Sequence, residues 1–237
     1  MFKLHRFSKI VASPPGPRSR ELSKKDEGLL SSSLSRLYPL VVDAGNDCIV
    51  KDIDGNEFID FYSSGLSTNL GHCHPRIVEG IKKQAEKLIH FHLNDFSSSI
   101  AIKMAEKLCE ITPGNFDKKV FLSSSESESI ETSIKMLRYN TRKPLFLAFV
   151  GSFHGTSVGA LSLTANKPVL WKNFFPLMPQ IIHLPYPYCY RCPFKRDHPG
   201  CDYLCIDYIK DYLFQNLIPV ENIAATFVEP IQSESGF

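Results

Sequence analysis

Beyond Lys119 the chain carries four short, largely apolar runs, residues 120–122, 145–150, 181–184 and 224–228. This pattern constrains the fold more than any other feature. A strand with one wet face alternates apolar and polar residues, whereas a run without alternation is buried on both faces. Helix-length segments separate the runs, among them one carrying Ile130, Ile134, Met136 and Leu137. The combination predicts a mostly parallel sheet covered by helices on both sides. Ligands of such sheets sit beyond the carboxyl ends of the strands, which singles out residues 123–127, 151–155 and 229–236.

Upstream the pattern differs. Val41-Val42, residues 48–51 and residues 58–61 read as short strands with Asp54-Gly55 as a turn, a small antiparallel piece. Ile77, Val78, Ile81 and Ala85 predict a helix opening at Pro75, where the missing N–H costs nothing. Ile102, Met104, Ala105 and Leu108 predict a second helix over 98–111, ended by Pro113-Gly114. The expected organisation is an extended arm over 1–20, a small α+β unit with linking helices over 21–112, and a large α/β unit over 113–237.

Composition excludes several classes. A net charge of +2 with 22% charged residues offers no electrostatic footprint for nucleic acid. No apolar run reaches membrane-spanning length, and residues 1–20 lack the apolar centre of a secretory signal. They are free of acidic residues, as transit peptides are, but the dense Pro and Gly at 14–17 favour an extended arm. The expected compartment is cytoplasmic. Seven Cys is an odd number, and Cys48, Cys73 and Cys109 are scattered, which fits reduced thiols better than a disulfide framework.

Each strand-end segment supports two readings. Residues 123–127 precede a helix, whose free N–H groups and hydroxyls can seat a phosphate; the same serines can simply cap the helix, with Glu128 supplying first-turn charge. Phe153, between Gly151 and Gly155, can stack on a flat heteroaromatic ring with His154 beside it, or be a core residue. Glu229, Gln232 and Glu234 can orient a ring, accept protons or pair with a cation, or belong to a solvated loop. Cys189, Cys192, Cys201 and Cys205 form a C-x2-C-x8-C-x3-C run. Four thiolates this close can hold zinc, but the central spacing is short, and Pro193 with Pro199-Gly200 reads as an ordinary turn-rich loop. No metal is expected there.

Together Tyr38-Pro39-Leu40-Val41-Val42, the run from Asp54-Gly55-Asn56 through Asp60-Phe61, Gly71-His72-Cys73-His74-Pro75, Phe153-His154-Gly155 and Val228-Glu229-Pro230-Ile231-Gln232 resemble, in this order, the class-III pyridoxal-phosphate-dependent aminotransferases, in particular the 4-aminobutyrate and omega-amino-acid branch. The resemblance implies a fold type I architecture: a small N-terminal α+β unit and an incomplete three-layer α/β/α large domain. It implies pyridoxal 5'-phosphate as cofactor, its phosphate at Ser125, Glu126 and Ser127, its ring against Phe153 and His154, its pocket lined by Glu229 and Gln232, and substrate met by Glu234. The implied reaction moves an amino group from an omega-amino acid such as 4-aminobutyrate to 2-oxoglutarate.

The sequence departs from the family at several of these places. Glu126 stands for a glycine of the phosphate turn, Ile130 for a frequent Asn, Thr156 for a common Arg, and Ser233 and Ser235 for glycines. The family's Schiff-base Lys and pyridine-pairing Asp lie downstream of Glu-Pro-Ile-Gln, so the resemblance implies that this chain has no catalytic residue of either kind and is inactive alone. Its partners would be amino-acid and 2-oxo-acid substrates and a second subunit, as homodimer or with a full-length relative. Same-fold amino-acid racemisation, an associating fragment, and a zinc-stabilised binding module are the alternatives.

Overall fold

The computed structural model describes residues 8–34 and 36–235. The contacts divide the chain into two compact units between Met104 and Ala105.

In the first unit, β1 (Val42–Asn46), β2 (Ile49–Asp52) and β3 (Glu57–Ile59) form an antiparallel sheet in that order. The turn after β2 organises its surroundings. Asp52 accepts from the main-chain and side-chain N–H groups of Asn56 at 2.7 Å, and Asn56 Oδ1 accepts from Val11 and Ala12 N–H at 2.8 Å. Asp54 accepts from Arg18 and Ser19 N–H and so caps helix α1 (Pro17–Leu29). Residues 17–20, expected in the extended arm, are therefore helical: Pro17 sits at the first turn, and Asp54 supplies the acceptor that local sequence lacks. Residues 1–7 of that arm lie outside the described residues. A left-handed turn, α2 (Ser63–Leu66), follows. Helices α3 (Pro75–Lys87) and α4 (Ser99–Ile111) lie where their periodicity predicts. His72 Nε2 and Asp60 Oδ2, 2.7 Å apart, join the two sequence motifs that bracket α2.

The second unit is built on a parallel sheet of order β5-β4-β6, with β4 (Leu145–Phe149) central between β5 (Ile181–Leu184) and β6 (Ile223–Thr226). Both faces of β4 are covered, as its unbroken apolar run predicts. Leu147 packs with Leu184, Ile209, Leu213 and Ile218 on one face, and Phe146 and Ala148 pack with Ile134 and Leu163 on the other. The first face is closed by a π-helical turn, Tyr208–Leu213, and by Phe214 at the start of α8 (Phe214–Asn216), which follow α7 (Leu204–Asp207). The second is closed by α5 (Glu126–Thr141) and α6 (Val158–Leu163). Ile130, Ile134 and Leu137 of α5 face the sheet, while Met136 points away and is 52% exposed.

One expected strand is missing. Residues 120–122 are not a strand, and Phe121 and Leu122 are exposed. An apolar run becomes a strand only when its N–H and C=O groups find a ladder. Both edges of β4 are taken by β5 and β6, and residues 120–122 pair with neither outer edge.

Candidate cofactor site

The sheet brings three loops to the carboxyl side of β4, and side chains rather than main-chain ladders bind them together. Glu229 Oε2 accepts the Phe153 N–H at 2.9 Å. Gln232, buried, donates from Nε2 to the Val150 carbonyl at 3.0 Å. Its Oε1 lies where a Cβ on Gly151 would be, 2.6 Å away, and Gly151 has φ +89°. Tyr186 donates its hydroxyl to the carbonyls of Glu229 and Pro230 at 3.2 and 3.0 Å. The end of β4 and the segment after β6 are thus joined at two main-chain points of the 150–153 loop. The Phe153 ring itself stays half-buried.

The third loop enters through α5. Ser125 is its N-cap and accepts the Glu128 N–H at 3.1 Å, while Glu128 reaches back to accept the Ser124 N–H at 2.7 Å, a reciprocal capping pair. The capping reading of these serines is therefore realised. Ser127 Oγ accepts the Thr156 N–H at 3.2 Å, and one turn further along, Glu131 Oε1 accepts from Ser157 Oγ and the N–H groups of Gly159 and Ala160 at 2.7, 2.8 and 3.3 Å. Glu131 thereby caps α6, which has no cap of its own. Glu126 is exposed on the first turn. At the far rim Lys167 Nζ pairs with Glu234 Oε2 at 2.6 Å.

The structure brings Ser127, Phe153, His154, Glu229 and Gln232 into one connected cluster, with Ser125 and Glu126 one turn from it and Glu234 held at its rim by Lys167. Sequence reasoning missed Glu131, Tyr186 and Lys167. Glu131 had a signal: it stands four residues after Ser127, on the same helix face. Tyr186 and Lys167 had none, since each meets its partner across more than forty residues. Among the described residues no three His, Cys, Asp or Glu side chains are set to hold a metal ion, and no helix is long and apolar enough to cross a membrane.

His154 is buried. Its N–H donates to Thr164 Oγ1 at 2.9 Å, its ring meets Phe227 edge-on at 6.0 Å, and its Nε2 has no hydrogen-bond partner among the described residues. Burial lowers its pKa, Glu229 opposes that and His183 adds to it; burial lowers the pKa of His183 too, against the pull of the Leu163 carbonyl. Both rings thus hold a proton less readily in the folded chain than in the unfolded one, where histidine titrates near 6.5. Below that pH the unfolded state binds more protons, so the contribution is intact above pH 6.5 and is lost as pH falls toward the folded values. Thermal melting should show the unit losing stability from pH 7.5 to 5.5, and His154→Gln should shrink the loss. An undiminished loss in His154→Gln would remove His154 from this account.

Comparison with known proteins shows the family and the fold. The family model described as aminotransferase class-III matches residues 31–237. An alanine/serine racemase of Pyrococcus horikoshii is 36% identical over 98% of this chain and 50% of its own length. A probable 4-aminobutyrate aminotransferase of Bacillus subtilis is 32% identical over 90% of this chain and 49% of its own. The solved structure of an (S)-enantioselective omega-transaminase from Thermomicrobium roseum superposes with a TM-score of 0.80 at 28% identity, over 90% of this chain and 50% of that one. The chain spans about half the length of the curated relatives it matches. Its fold is that of the fold type I transaminases, and with the family model covering most of its residues, the chain belongs to the class-III aminotransferases.

Proposed function

We propose that residues 105–237 form part of a pyridoxal 5'-phosphate site for amino-group transfer between an amino acid, of the omega class such as 4-aminobutyrate, and a 2-oxo acid such as 2-oxoglutarate. The observation that carries this reading is the Glu229 clasp on the Phe153 N–H, which sets an aromatic ring at the end of the central strand. Three further features suit the cofactor. The start of α5 already holds an anion, the Glu128 carboxylate on the Ser124 N–H. Gly155, at φ +124°, lets the loop close on Ser127. The buried His154 Nε2 still has a hydrogen-bonding position to satisfy.

When bound, pyridoxal phosphate supplies the electron sink that allows an amino group to be exchanged for a keto oxygen. The chain's own residues bind and orient. Ser125, Ser127 and the first N–H groups of α5 take the phosphate in competition with Glu128. Glu126 is turned to solvent, so its repulsion toward a dianion falls from about 4 kcal/mol at an effective dielectric of 20 toward about 1 kcal/mol in water at the same ~4 Å. Phe153 covers the ring, Glu229 and Gln232 hold the two loops in register, and His154, kept neutral by burial, offers Nε2 as acceptor or donor without adding charge. Glu234, with Lys167 beside it, faces incoming substrate. The whole activity is a property of a pair of subunits, either two copies or this chain with a longer relative.

Racemisation is the second reading, favoured by the alanine/serine racemase relative at 36% identity. An L-amino acid supplied without a 2-oxo acid distinguishes them: racemisation yields the D-amino acid with many turnovers, and transfer stops after one amino group per site and yields none.

Titration of the 237-residue chain with pyridoxal phosphate, followed by borohydride reduction, tests the reading. Saturable binding is expected, weakened about tenfold in Phe153→Ala, the loss of ~1.4 kcal/mol that ring stacking is worth. No label should become covalently fixed. Unchanged affinity in Phe153→Ala would overturn the assigned ring position, and fixation at Lys167, which pairs with Glu234, would overturn the expectation that no lysine of this chain serves catalysis.

A further inference from the structure

Residues 187–205, which follow Tyr186 and run into the helical stretch that starts at Leu204, hold four of the seven cysteines. Cys189, Cys192, Cys201 and Cys205 all line one cavity of about 20 Å³, together with Phe194 and His198. A void of that size accommodates about one small occupant. All four cysteines are free; Cys189 is exposed and the other three are half-buried.

The main chain delivers the thiols in pairs. Cys189 opens a 3-10 turn, Cys189–Arg191, that ends at Cys192, and the Lys195 N–H returns to the Cys192 carbonyl at 3.0 Å with Lys195 at φ +53°. The second pair is made the same way: the Leu204 N–H returns to the Cys201 carbonyl at 3.0 Å, and Asp202 and Tyr203 both take positive φ. Two non-glycine residues in the left-handed region cost about 1–2 kcal/mol each. This turn places Cys201 and Cys205 at the cavity that the first pair also lines.

We propose that Cys189, Cys192, Cys201 and Cys205 bind one thiophilic divalent cation, zinc being the ion whose four-thiolate, tetrahedral coordination they match. The expectation of a plain turn-rich loop rested on the short central spacing and on Pro193 with Pro199-Gly200, but the two returning turns bring the pairs to one cavity. The side chains do not converge as they stand, since no three of them are set to hold an ion. Four-thiolate coordination therefore requires the exposed Cys189 to move inward on its short turn. Zinc with four thiolates carries a net charge of −2, and Arg191, Lys195 and Arg196 in the same excursion are suited to balance it. The ion ties the loop after β5 to the helical stretch whose Ile209 and Leu213 cover the sheet, so its role is structural.

The test uses the reduced 237-residue chain with cobalt(II) and zinc(II) as probes. One equivalent of cobalt should give the intense charge-transfer and visible bands of tetrahedral thiolate coordination. One equivalent of zinc should bleach them and protect four of the seven thiols from a thiol reagent. The double variant Cys192→Ser, Cys201→Ser should lose both signals, and Cys48→Ser, Cys73→Ser should keep them. Octahedral cobalt spectra, absent protection, signals surviving in the Cys192→Ser, Cys201→Ser chain, or disulfides between these cysteines in the metal-free chain would each overturn the proposal. The readouts do not involve pyridoxal phosphate, so they stand whether or not the cofactor reading does.

Discussion

Replacing Gly155 by valine is expected to destabilise the unit of residues 105–237 by about 4 kcal/mol and to abolish saturable binding of pyridoxal phosphate. Gly155 has φ +124°, a conformation that side-chain-bearing residues rarely adopt, and a Cβ there would collide with Ser127 Oγ and approach Ser127 Cα to 3.1 Å and Ala160 Cβ to 3.0 Å. The backbone conformation costs about 1–3 kcal/mol, and forcing a branched side chain against main chain adds about 1–3 kcal/mol. Ser127 cannot yield cheaply, because its main chain belongs to the first turn of α5, whose cap is already made. Urea denaturation gives the stability, and fluorescence titration gives the binding. A loss under about 1 kcal/mol would mean that the loop after β4 is free to rearrange and does not hold Phe153 against Glu229.

Glu131→Ala is expected to cost about 3 kcal/mol, and Glu131→Gln about 1 kcal/mol. One carboxylate oxygen serves three donors at the start of α6. Hydrogen bonds to a charged group contribute about 1.5–3 kcal/mol, and a buried donor left unpaired costs about 1–3 kcal/mol. Gly159 and Ala160 are buried, so water cannot replace the carboxylate without opening the packing of Leu163 on the sheet. Glutamine retains an acceptor oxygen and loses only the charge. Equal losses in the two variants would show that charge rather than the acceptor matters. No loss in either would show that α6 needs no cap. This residue touches no part of the proposed ligand, yet it fixes α5 relative to the loop that carries Phe153.

The structure separates what was legible in the residues from what was not. Leu145, Phe146, Leu147 and Ala148 announced a strand buried on both faces, and the alternation of Leu147 with Phe146 and Ala148 between two cores fulfils it. Pro75 and Pro17 both open helices, although only the first was read correctly, because the cap of α1 comes from Asp54 and not from its own neighbourhood. Residues 120–122 had the same apolar composition as the true strands and failed for want of a ladder partner. Phe153, His154, Glu229 and Gln232 were singled out because they follow β4 and β6 within motifs that the family shares, whereas Ser125, Glu126 and Ser127 were singled out as following a strand that does not form. Their alignment on one another was invisible: Glu229 meets Phe153 across 76 residues and Lys167 meets Glu234 across 67.

The sequence by itself determined the class of the sheet, the place of β4, β5 and β6 in the chain, and the family, since each is written in local periodicity and in contiguous motifs. Only the tertiary structure decided which carboxylate clasps Phe153, that Glu131 caps α6, that Glu126 turns to solvent, and that four cysteines spaced unlike a zinc motif line a single cavity. Those outcomes depend on where distant main-chain N–H groups come to lie once the sheet has formed, and a buried donor takes whichever acceptor the packing brings within about 3 Å.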